Sequence, residues 1–155
     1  MVAVKAHIVK EFRTTASPEA CIKALSDIQN LSRHMPKVQK IEPDAGGFKW
    51  TMEKVGAGPI STQVIYASDY KTDGNKVSWT SRSGYNSSAE GFWEVTPDGE
   101  GSKVKIDSGF ETEIPVPRML KGAAESFVAG QYDNTLNEYT ANIKKTLDGG
   151  DGTLR

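Results

Sequence analysis

The amino-acid sequence predicts a single α+β domain in which an antiparallel sheet is covered by one long helix at the C-terminal end. Three observations support this fold class. A strand-like run opens the chain, six shorter runs separated by turn residues fill its middle, and a long amphipathic segment closes it. Alternating apolar and polar residues mark strands, and an apolar position every three or four residues marks a helix. The predicted order is therefore strand, two short helices, six strands and one helix, or β-α-α-β6-α.

The N-terminal region is predicted to form a strand followed by two short helices. Apolar and charged residues alternate over Val2–Thr14, which is typical of a strand with one buried face. Ser17 and Pro18 then provide a helix start, because a serine oxygen can accept hydrogen bonds from free backbone amides and proline suits the first helical position. The first helix is expected over Ala20–Ser26 and the second over Ile28–His34.

The middle of the chain is predicted to form an antiparallel meander. Glycine, proline, asparagine and aspartate recur between the apolar runs, and these residues favour tight turns. Connections this short join neighbouring strands as hairpins. The six predicted strands cover residues 37–42, 48–55, 60–71, 76–82, 89–96 and 103–113.

Charged residues identify the outer face of this predicted sheet. In the last strand Lys103, Lys105 and Asp107 share one face, so Val104 and Ile106 must lie on the other. The same alternation places all three tryptophans of the chain on the inner face, namely Trp50, Trp79 and Trp93.

The closing segment, Val116–Leu147, is predicted to be one amphipathic helix. Its apolar residues recur every three or four positions and form a stripe along one side, which must be buried. One helix is a narrow cover for a curved sheet lined with large rings. We therefore expect a cavity between the sheet and the helix.

Length, charge and cysteine content restrict the classes of protein. The 155 residues fit one domain, expected over 1–147, and residues 148–155 are expected to form a flexible tail. With 19 basic and 20 acidic residues, and a formal net charge of -1, no surface for nucleic acid or an anionic membrane is expected. The chain shows no signal-peptide pattern and no apolar run of membrane-spanning length, which predicts a cytoplasmic protein. The single cysteine, Cys21, is expected to be buried and structural.

The order of elements and three short stretches carry a resemblance to a known family. The stretches are Thr15–Ala20, Asp27–Leu31 followed by Met35–Val38, and Val77–Ser81 with Gly84 beyond it. Over about residues 3–147 the chain resembles the START-like helix-grip superfamily, also called SRPBCC. Within it, the polyketide cyclase/dehydrase and coenzyme Q-binding-like branch is the most similar.

This resemblance implies a seven-stranded sheet wrapped around the long C-terminal helix, with a hydrophobic cavity between them. Members of the superfamily bind lipids, quinones, hormones or polyketides, and a minority catalyse cyclisation, dehydration or hydrolysis. Members often place an aromatic residue where His34 or Met35 stands in this chain. No catalytic motif of the family can be carried over residue by residue.

The residues predicted to line the cavity combine rings for stacking with a few polar groups for orientation, as small-molecule sites do. They are Trp50, Met52, Tyr66, Tyr70, Trp79, Ser81, Trp93, Ser108, Phe110, Arg118, Phe127 and Gln131. Each also has an ordinary role in a protein core, so the group rather than any single member indicates a site. Arg118 is placed at the cavity entrance, as a partner for a ligand carboxylate or phenolate.

The sequence indicates no catalytic residue, no metal site and no cofactor. His7 and His34 lie on different predicted elements without metal-ligand spacing, and His34 is expected at the surface or at a helix end. A Gly-x-Ser-x-Gly nucleophile pattern is absent. Lys10 falls at an inward position of the first strand, where an unpaired ammonium is costly. It is expected either to meet an anionic group or to reach solvent at the sheet margin.

Binding or transport of a hydrophobic small molecule, such as a lipid, a quinone or a polyketide-like compound, is the leading functional hypothesis. The first alternative is an enzyme of the polyketide cyclase or dehydratase type, in which Tyr66, Tyr70 or Arg118 assists proton transfer. The second is a protein-interaction domain related to chaperone activators, which a fully packed interior would favour. The sequence leaves the oligomeric state open.

Overall fold

The structure, a computed structural model, describes residues 1–154 and confirms the predicted α+β fold. The three helices are α1 (Pro18–Ser26), α2 (Ile28–Leu31) and α3 (Lys121–Leu147). A single turn of 3-10 helix follows α2, and another precedes α3. The nine strands are β1 (Val2–Thr14), β2 (Val38–Asp44), β3 (Gly47–Met52), β4 (Val55–Ala57), β5 (Ile60–Thr62), β6 (Ile65–Asp73), β7 (Lys76–Ser81), β8 (Ser87–Asp98) and β9 (Gly101–Ile114).

Seven of the strands form one antiparallel sheet in the order β1-β9-β8-β7-β6-β3-β2. The first strand of the chain thus pairs with the last, along the whole length of β1. The sheet wraps around α3, which packs beside β1, while α1 packs against β7, β8 and β9. This is the helix-grip arrangement that the resemblance implied.

The backbones of β8 and β9 approach each other closely at Gly91 in β8. Gly91 pairs with Trp79 of β7 and with Ser108 of β9. A Cβ atom at this position would lie 2.1 Å from the carbonyl oxygen of Asp107, so a side chain does not fit this backbone. Glycine therefore permits the tight passage of β8 past β9 at the level of the inner tryptophans.

The predicted inner and outer faces of the sheet are confirmed. Val104 and Ile106 are buried, and the inner tryptophans expose at most 9% of their surface, the value for Trp79. Phe92 lies on the outer face, as its position in the alternation indicates. There its ring lies 4.7 Å from the ammonium of Lys76, a cation–π contact that gives this ring a partner outside the core.

The predicted strands 48–55 and 60–71 are wrong in their bounds, because the chain leaves the main sheet between them. β3 ends at Met52 and β6 begins at Ile65, and the intervening residues form the separate hairpin of β4 and β5. Ile60 of this hairpin is buried in a small apolar cluster with residues from the start of β1 and the end of β9. Strands of a hairpin alternate like those of a large sheet, so periodicity could not reveal the change of partner.

The closing helix starts later than predicted. α3 begins at Lys121 rather than at Val116, since Pro115 and Pro117 disfavour helical geometry in the residues that precede them. Gly130 faces open space, so it serves no close approach to the sheet. The predicted apolar stripe is confirmed, and its buried apolar residues are Ala124, Val128, Leu136, Tyr139 and Ile143.

His34 lies at a helix end, which is one of the two predicted places, but it is buried, so the surface alternative is wrong. It ends the 3-10 turn after α2, which places its ring beneath the end of α3. Its Nδ1 lies 3.1 Å from the carbonyl oxygen of Leu31, which can only accept, so Nδ1 carries the proton. The Thr146 hydroxyl, 2.8 Å away, donates to Nε2. The ring therefore joins two elements that the sequence pattern did not place in contact.

Cys21 is buried, as predicted.

The residues that follow α3 contact the body of the domain. The Asp148 carboxylate accepts hydrogen bonds from the hydroxyl of Thr14 at 2.6 Å and from the backbone amide of Thr15 at 3.0 Å. It also pairs with Lys144 at 2.5 Å. Further on, the backbone amide of Leu154 donates to the carbonyl oxygen of Arg33 at 2.7 Å. These contacts join the end of α3 to the end of β1 and to the turn after α2.

We expect one substitution in the turn between β2 and β3 to increase the stability of the fold. Ala45 and Gly46 both have positive φ, 47° and 94°, as a two-residue hairpin turn of this hand requires. Alanine in the left-handed region is destabilised by about 1–2 kcal/mol, whereas asparagine tolerates it. Ala45→Asn should raise the free energy of unfolding by about 0.5–1 kcal/mol, measured by urea unfolding. The control Ala129→Asn, at an exposed position of α3, should lower it, because asparagine is a weaker helix former. A lower stability of A45N would contradict this account of the turn.

We expect Asp148 to stabilise the fold in a pH-dependent way. Its pKa lies well below the usual value, because Lys144, the Thr14 hydroxyl and the Thr15 amide all favour the charged carboxylate. Stabilisation from a lowered pKa is present above the unfolded value of about 4 and is lost as the pH falls through the folded value. Asp148→Asn should therefore lower the free energy of unfolding at neutral pH. Urea unfolding should show the difference from the native protein shrinking below about pH 4. A difference that stays constant with pH would show that the carboxylate charge is not involved.

Candidate ligand-binding cavity

An internal cavity of about 140 Å³ lies between the concave face of the sheet and α3. Its floor is formed by inner-face residues of β3, β6, β7, β8 and β9, and its roof by α3. For comparison, an enclosed apolar cavity of about 150 Å³ in another protein holds benzene. The space is therefore sufficient for a ring system, as the narrow cover provided by one helix predicts.

Ten of the twelve residues predicted as cavity lining do line this space. The structure brings them together from five strands and α3, and they are Trp50, Met52, Tyr66, Tyr70, Trp79, Trp93, Ser108, Phe110, Phe127 and Gln131. Residues of α2 and the following turn, including Met35, close one end.

Two predicted lining residues, Ser81 and Arg118, lie outside the cavity. The hydroxyl of Ser81 accepts from the backbone amide of Ala89 at 2.6 Å and donates to its carbonyl oxygen at 2.8 Å, so it joins β7 to β8. Arg118 lies exposed in the 3-10 turn that precedes α3, because the helix starts after it. Lys10 does face inward, but it forms an ion pair with Asp133 of α3 at 2.8 Å. That pair satisfies the ammonium without a ligand.

Two groups of ring contacts form one wall of the cavity, and the second of them reaches α3. The indole of Trp50 and the ring of Tyr66 are nearly parallel, with 6.0 Å between centroids. Trp79 and Trp93 follow at 6.4 Å, and Trp93 contacts Tyr139 of α3 at 6.0 Å. Such aromatic pairs contribute about 0.5–1.5 kcal/mol each beyond the burial of their area. The wall is therefore a rigid apolar surface suited to stacking.

The polar groups of the cavity divide into satisfied and unsatisfied hydroxyls. The indole N–H of Trp50 donates to the hydroxyl of Tyr70 at 2.9 Å, and the hydroxyls of Ser108 and Tyr132 lie 2.5 Å apart. Neither the hydroxyl of Tyr66 nor that of Tyr139 forms a hydrogen bond within residues 1–154, although both residues line the cavity. Buried phenols usually find such a partner, so these two are available to a ligand.

Burial keeps the cavity phenols protonated. It raises the pKa of Tyr132 to about 12, against a smaller opposing effect of its hydrogen bond with Ser108. The pKa of Tyr70 is raised for the same reason, and the pKa values of Tyr66 and Tyr139 are raised by burial and, secondarily, by the neighbouring tyrosines. At neutral pH all four hydroxyls are therefore hydrogen-bond donors, and none can accept a proton from a substrate.

Charged side chains are almost absent from the lining that the structure describes. The lining residues include no aspartate, glutamate, histidine, arginine or cysteine, and their single charged member is Lys37. Its ammonium donates to the amide oxygen of Gln131 at 3.1 Å, across the space between the loop after α2 and α3. The interior is thus apolar and neutral, with one cation at its edge.

Sequence reasoning missed Tyr132, Tyr139 and Lys37 as lining residues. Both tyrosines lie on the buried stripe of α3, and a phenol on such a stripe needs a polar partner, a signal that was present in the sequence. Lys37 adopts a φ of 60° in the loop before β2. That backbone conformation, which the sequence does not indicate, places its side chain at the cavity.

No helix within the described residues is long and apolar enough to cross a membrane.

Comparison with known proteins supports the resemblance noted in the sequence. Residues 5–144 match the family described as polyketide cyclase / dehydrase and lipid transport. No match was found among curated proteins. Among solved structures, TTHA0849 from Thermus thermophilus is similar at a TM-score of 0.70 and 17% identity, over 91% of this chain and 96% of that protein.

Two further solved structures show the same fold. A START superfamily protein from Mycobacterium smegmatis is similar at a TM-score of 0.67 and 16% identity, over 91% of this chain and 98% of that protein. The Zhui aromatase/cyclase from Streptomyces sp. R1128 is similar at a TM-score of 0.63 and 13% identity, over 94% and 99%. Identities this low concern the fold alone. Because the family match covers nearly the whole folded region, the chain belongs to the polyketide cyclase / dehydrase and lipid transport family.

Proposed function

We propose that this protein binds a hydrophobic, ring-containing small molecule that carries oxygen acceptors, in the cavity between the sheet and α3. The observation that carries the proposal is the pair of unpartnered hydroxyls, Tyr66 and Tyr139, in an otherwise apolar interior. A ketone, quinone or ether oxygen accepts hydrogen bonds from such donors. The rings of Trp50, Trp79 and Trp93 supply the surface on which the ligand stacks.

The apolar lining supports binding by burial of ligand surface. Each 100 Å² of apolar surface that a ligand removes from water contributes about 2.5 kcal/mol. The two tyrosine hydroxyls add orientation, since a ligand that leaves them unpaired forfeits about 0.5–1.5 kcal/mol for each hydrogen bond. This division between an apolar wall and a few placed donors is common in small-molecule sites.

The same lining favours binding over catalysis of a cyclase or dehydratase reaction. Removal of a proton from carbon needs a base, and the described lining offers no carboxylate and no imidazole. The sequence-based candidates do not fill that role: the raised pKa values of Tyr66 and Tyr70 keep both phenols protonated, and Arg118 is exposed. The similarity to an aromatase/cyclase therefore supports a ring-containing ligand more than it supports a cyclisation reaction.

The cavity also argues against a function confined to protein interaction. A domain that works only through its outer surface has no need of an interior space of about 140 Å³ lined by stacked rings. Unfilled space in a core is destabilising by about 24 cal/mol for each Å³, so its presence without a ligand would be a cost to the fold.

We expect a fused-ring ketone to bind more tightly than the matching hydrocarbon. The probes are 1-tetralone and tetralin, which differ in one carbonyl group, and isothermal titration calorimetry measures both affinities. Each tyrosine hydrogen bond should favour the ketone by about two- to tenfold. Tyr66→Phe and Tyr139→Phe should reduce this preference and leave tetralin affinity unchanged.

Tyr85→Phe is the matched control, because Tyr85 is partly exposed on the outer side of the domain and its hydroxyl bonds to Asp44. It should bind both probes like the native protein. If neither probe binds, the proposed function is wrong. If both bind equally in the native protein and in all variants, the apolar cavity stands but the assignment of the two tyrosines fails.

A further inference from the structure

The edge of the cavity carries a cation held at a fixed place. Lys37 lies in the loop between the 3-10 turn and β2, and it is the one charged residue among the described lining residues. Its side chain reaches across to α3, where its ammonium donates to Gln131 at 3.1 Å. Gln131 and Phe127 of α3 also line the cavity.

The loop backbone holds Lys37 in this position. Its φ of 60° falls in the left-handed region, which costs a residue with a side chain about 1–2 kcal/mol. A hydrogen bond from the backbone amide of Glu53 to the carbonyl oxygen of Lys37, at 2.7 Å, fixes the loop to the segment after β3. Buried Pro36 precedes it and limits the backbone further. The main chain therefore sets the direction in which the exposed side chain of Lys37 leaves the backbone, and the hydrogen bond to Gln131 holds its end.

No carboxylate within residues 1–154 forms an ion pair with Lys37. The ten ion pairs found among the described residues involve other lysines, arginines and His7, and the side chain of Glu53 is in none of them. The partner that Lys37 does have is the neutral amide of Gln131. A carboxylate adds the attraction of a full negative charge to the hydrogen bond, so a ligand carboxylate would compete with the neutral Gln131 oxygen for the ammonium.

We propose that Lys37 forms an anion subsite at the edge of the cavity and that the ligand is an organic acid. Its ring body lies among the tryptophans and its carboxylate lies at Lys37. This inference rests on the proposed function, because it requires that the cavity binds the ring body. It adds the chemical class of the ligand, a hydrophobic carboxylic acid or a compound with an equivalent anionic group.

The test uses two probes of the same size that differ in charge, 1-naphthoate and 1-naphthamide. Isothermal titration calorimetry near neutral pH should show that the native protein binds the acid about fivefold or more tightly than the amide. Lys37→Met, which keeps the length of the side chain, should abolish this preference and leave naphthamide affinity unchanged. Lys37→Arg should retain it, as should Gln131→Leu, because both keep the cation.

Two controls separate a subsite from a general effect. Lys23→Met, at an exposed position in α1, should leave the preference unchanged, which excludes an effect of net charge. With the native protein, raising NaCl from about 20 to 300 mM should weaken naphthoate binding and not naphthamide binding, because salt screens a pair near the surface. This measurement does not depend on the folding of any variant.

Three results would overturn the anion subsite while leaving the proposed function intact. They are equal affinity of the native protein for acid and amide, insensitivity of naphthoate binding to salt, and an equal loss of both affinities in K37M. The last of these would mean that Lys37 only shapes the loop. If neither naphthalene probe binds and 1-tetralone also fails, the proposed function is wrong and the subsite falls with it.

Discussion

The packing of one helix against a strongly curved sheet is the constraint on which the rest of this structure depends. The sheet presents a wide concave surface. The helix α3 faces it only with the apolar stripe along one side, in which every third or fourth residue is buried. The ring contacts from Trp79 through Trp93 to Tyr139 join the two layers on one side. The ion pair of Lys10 with Asp133 and the bonds of Asp148 to the end of β1 fix the helix at two further points. Between these attachments the side chains of α3 do not fill the concave side of the sheet, and the unfilled space is the cavity.

Much of this arrangement could be predicted because it depends on local periodicity. Alternation of charged and apolar residues identified the inner face, including all three tryptophans, and ten of the twelve expected lining residues do line the cavity. The prediction errors occur where a contact between residues far apart in the sequence determines the local structure. His34 is buried because Thr146 lies above it, and the β4–β5 hairpin separates because Ile60 packs against the ends of β1 and β9. Neither contact has a signature within a short window of sequence.

The chemistry of the cavity was harder to predict than its walls. Tyr132 and Tyr139 both fall on the apolar stripe of α3, yet only the structure distinguishes the Tyr132 hydroxyl, which bonds with Ser108, from the Tyr139 hydroxyl, which forms no hydrogen bond within the described residues. Lys37 was missed because its direction follows from a positive φ rather than from its place in a pattern. Four phenols without a base nearby form an environment that donates hydrogen bonds and does not remove protons.

The close approach of β8 and β9 at Gly91 has a consequence for how such a cavity can change. The passage of β8 past β9 depends there on a residue with no side chain, whereas the cavity lining comes from its neighbours on the same strands, such as Trp93 and Ser108. The backbone path and the lining are therefore set by different positions, so the lining can be altered while Gly91 is left in place.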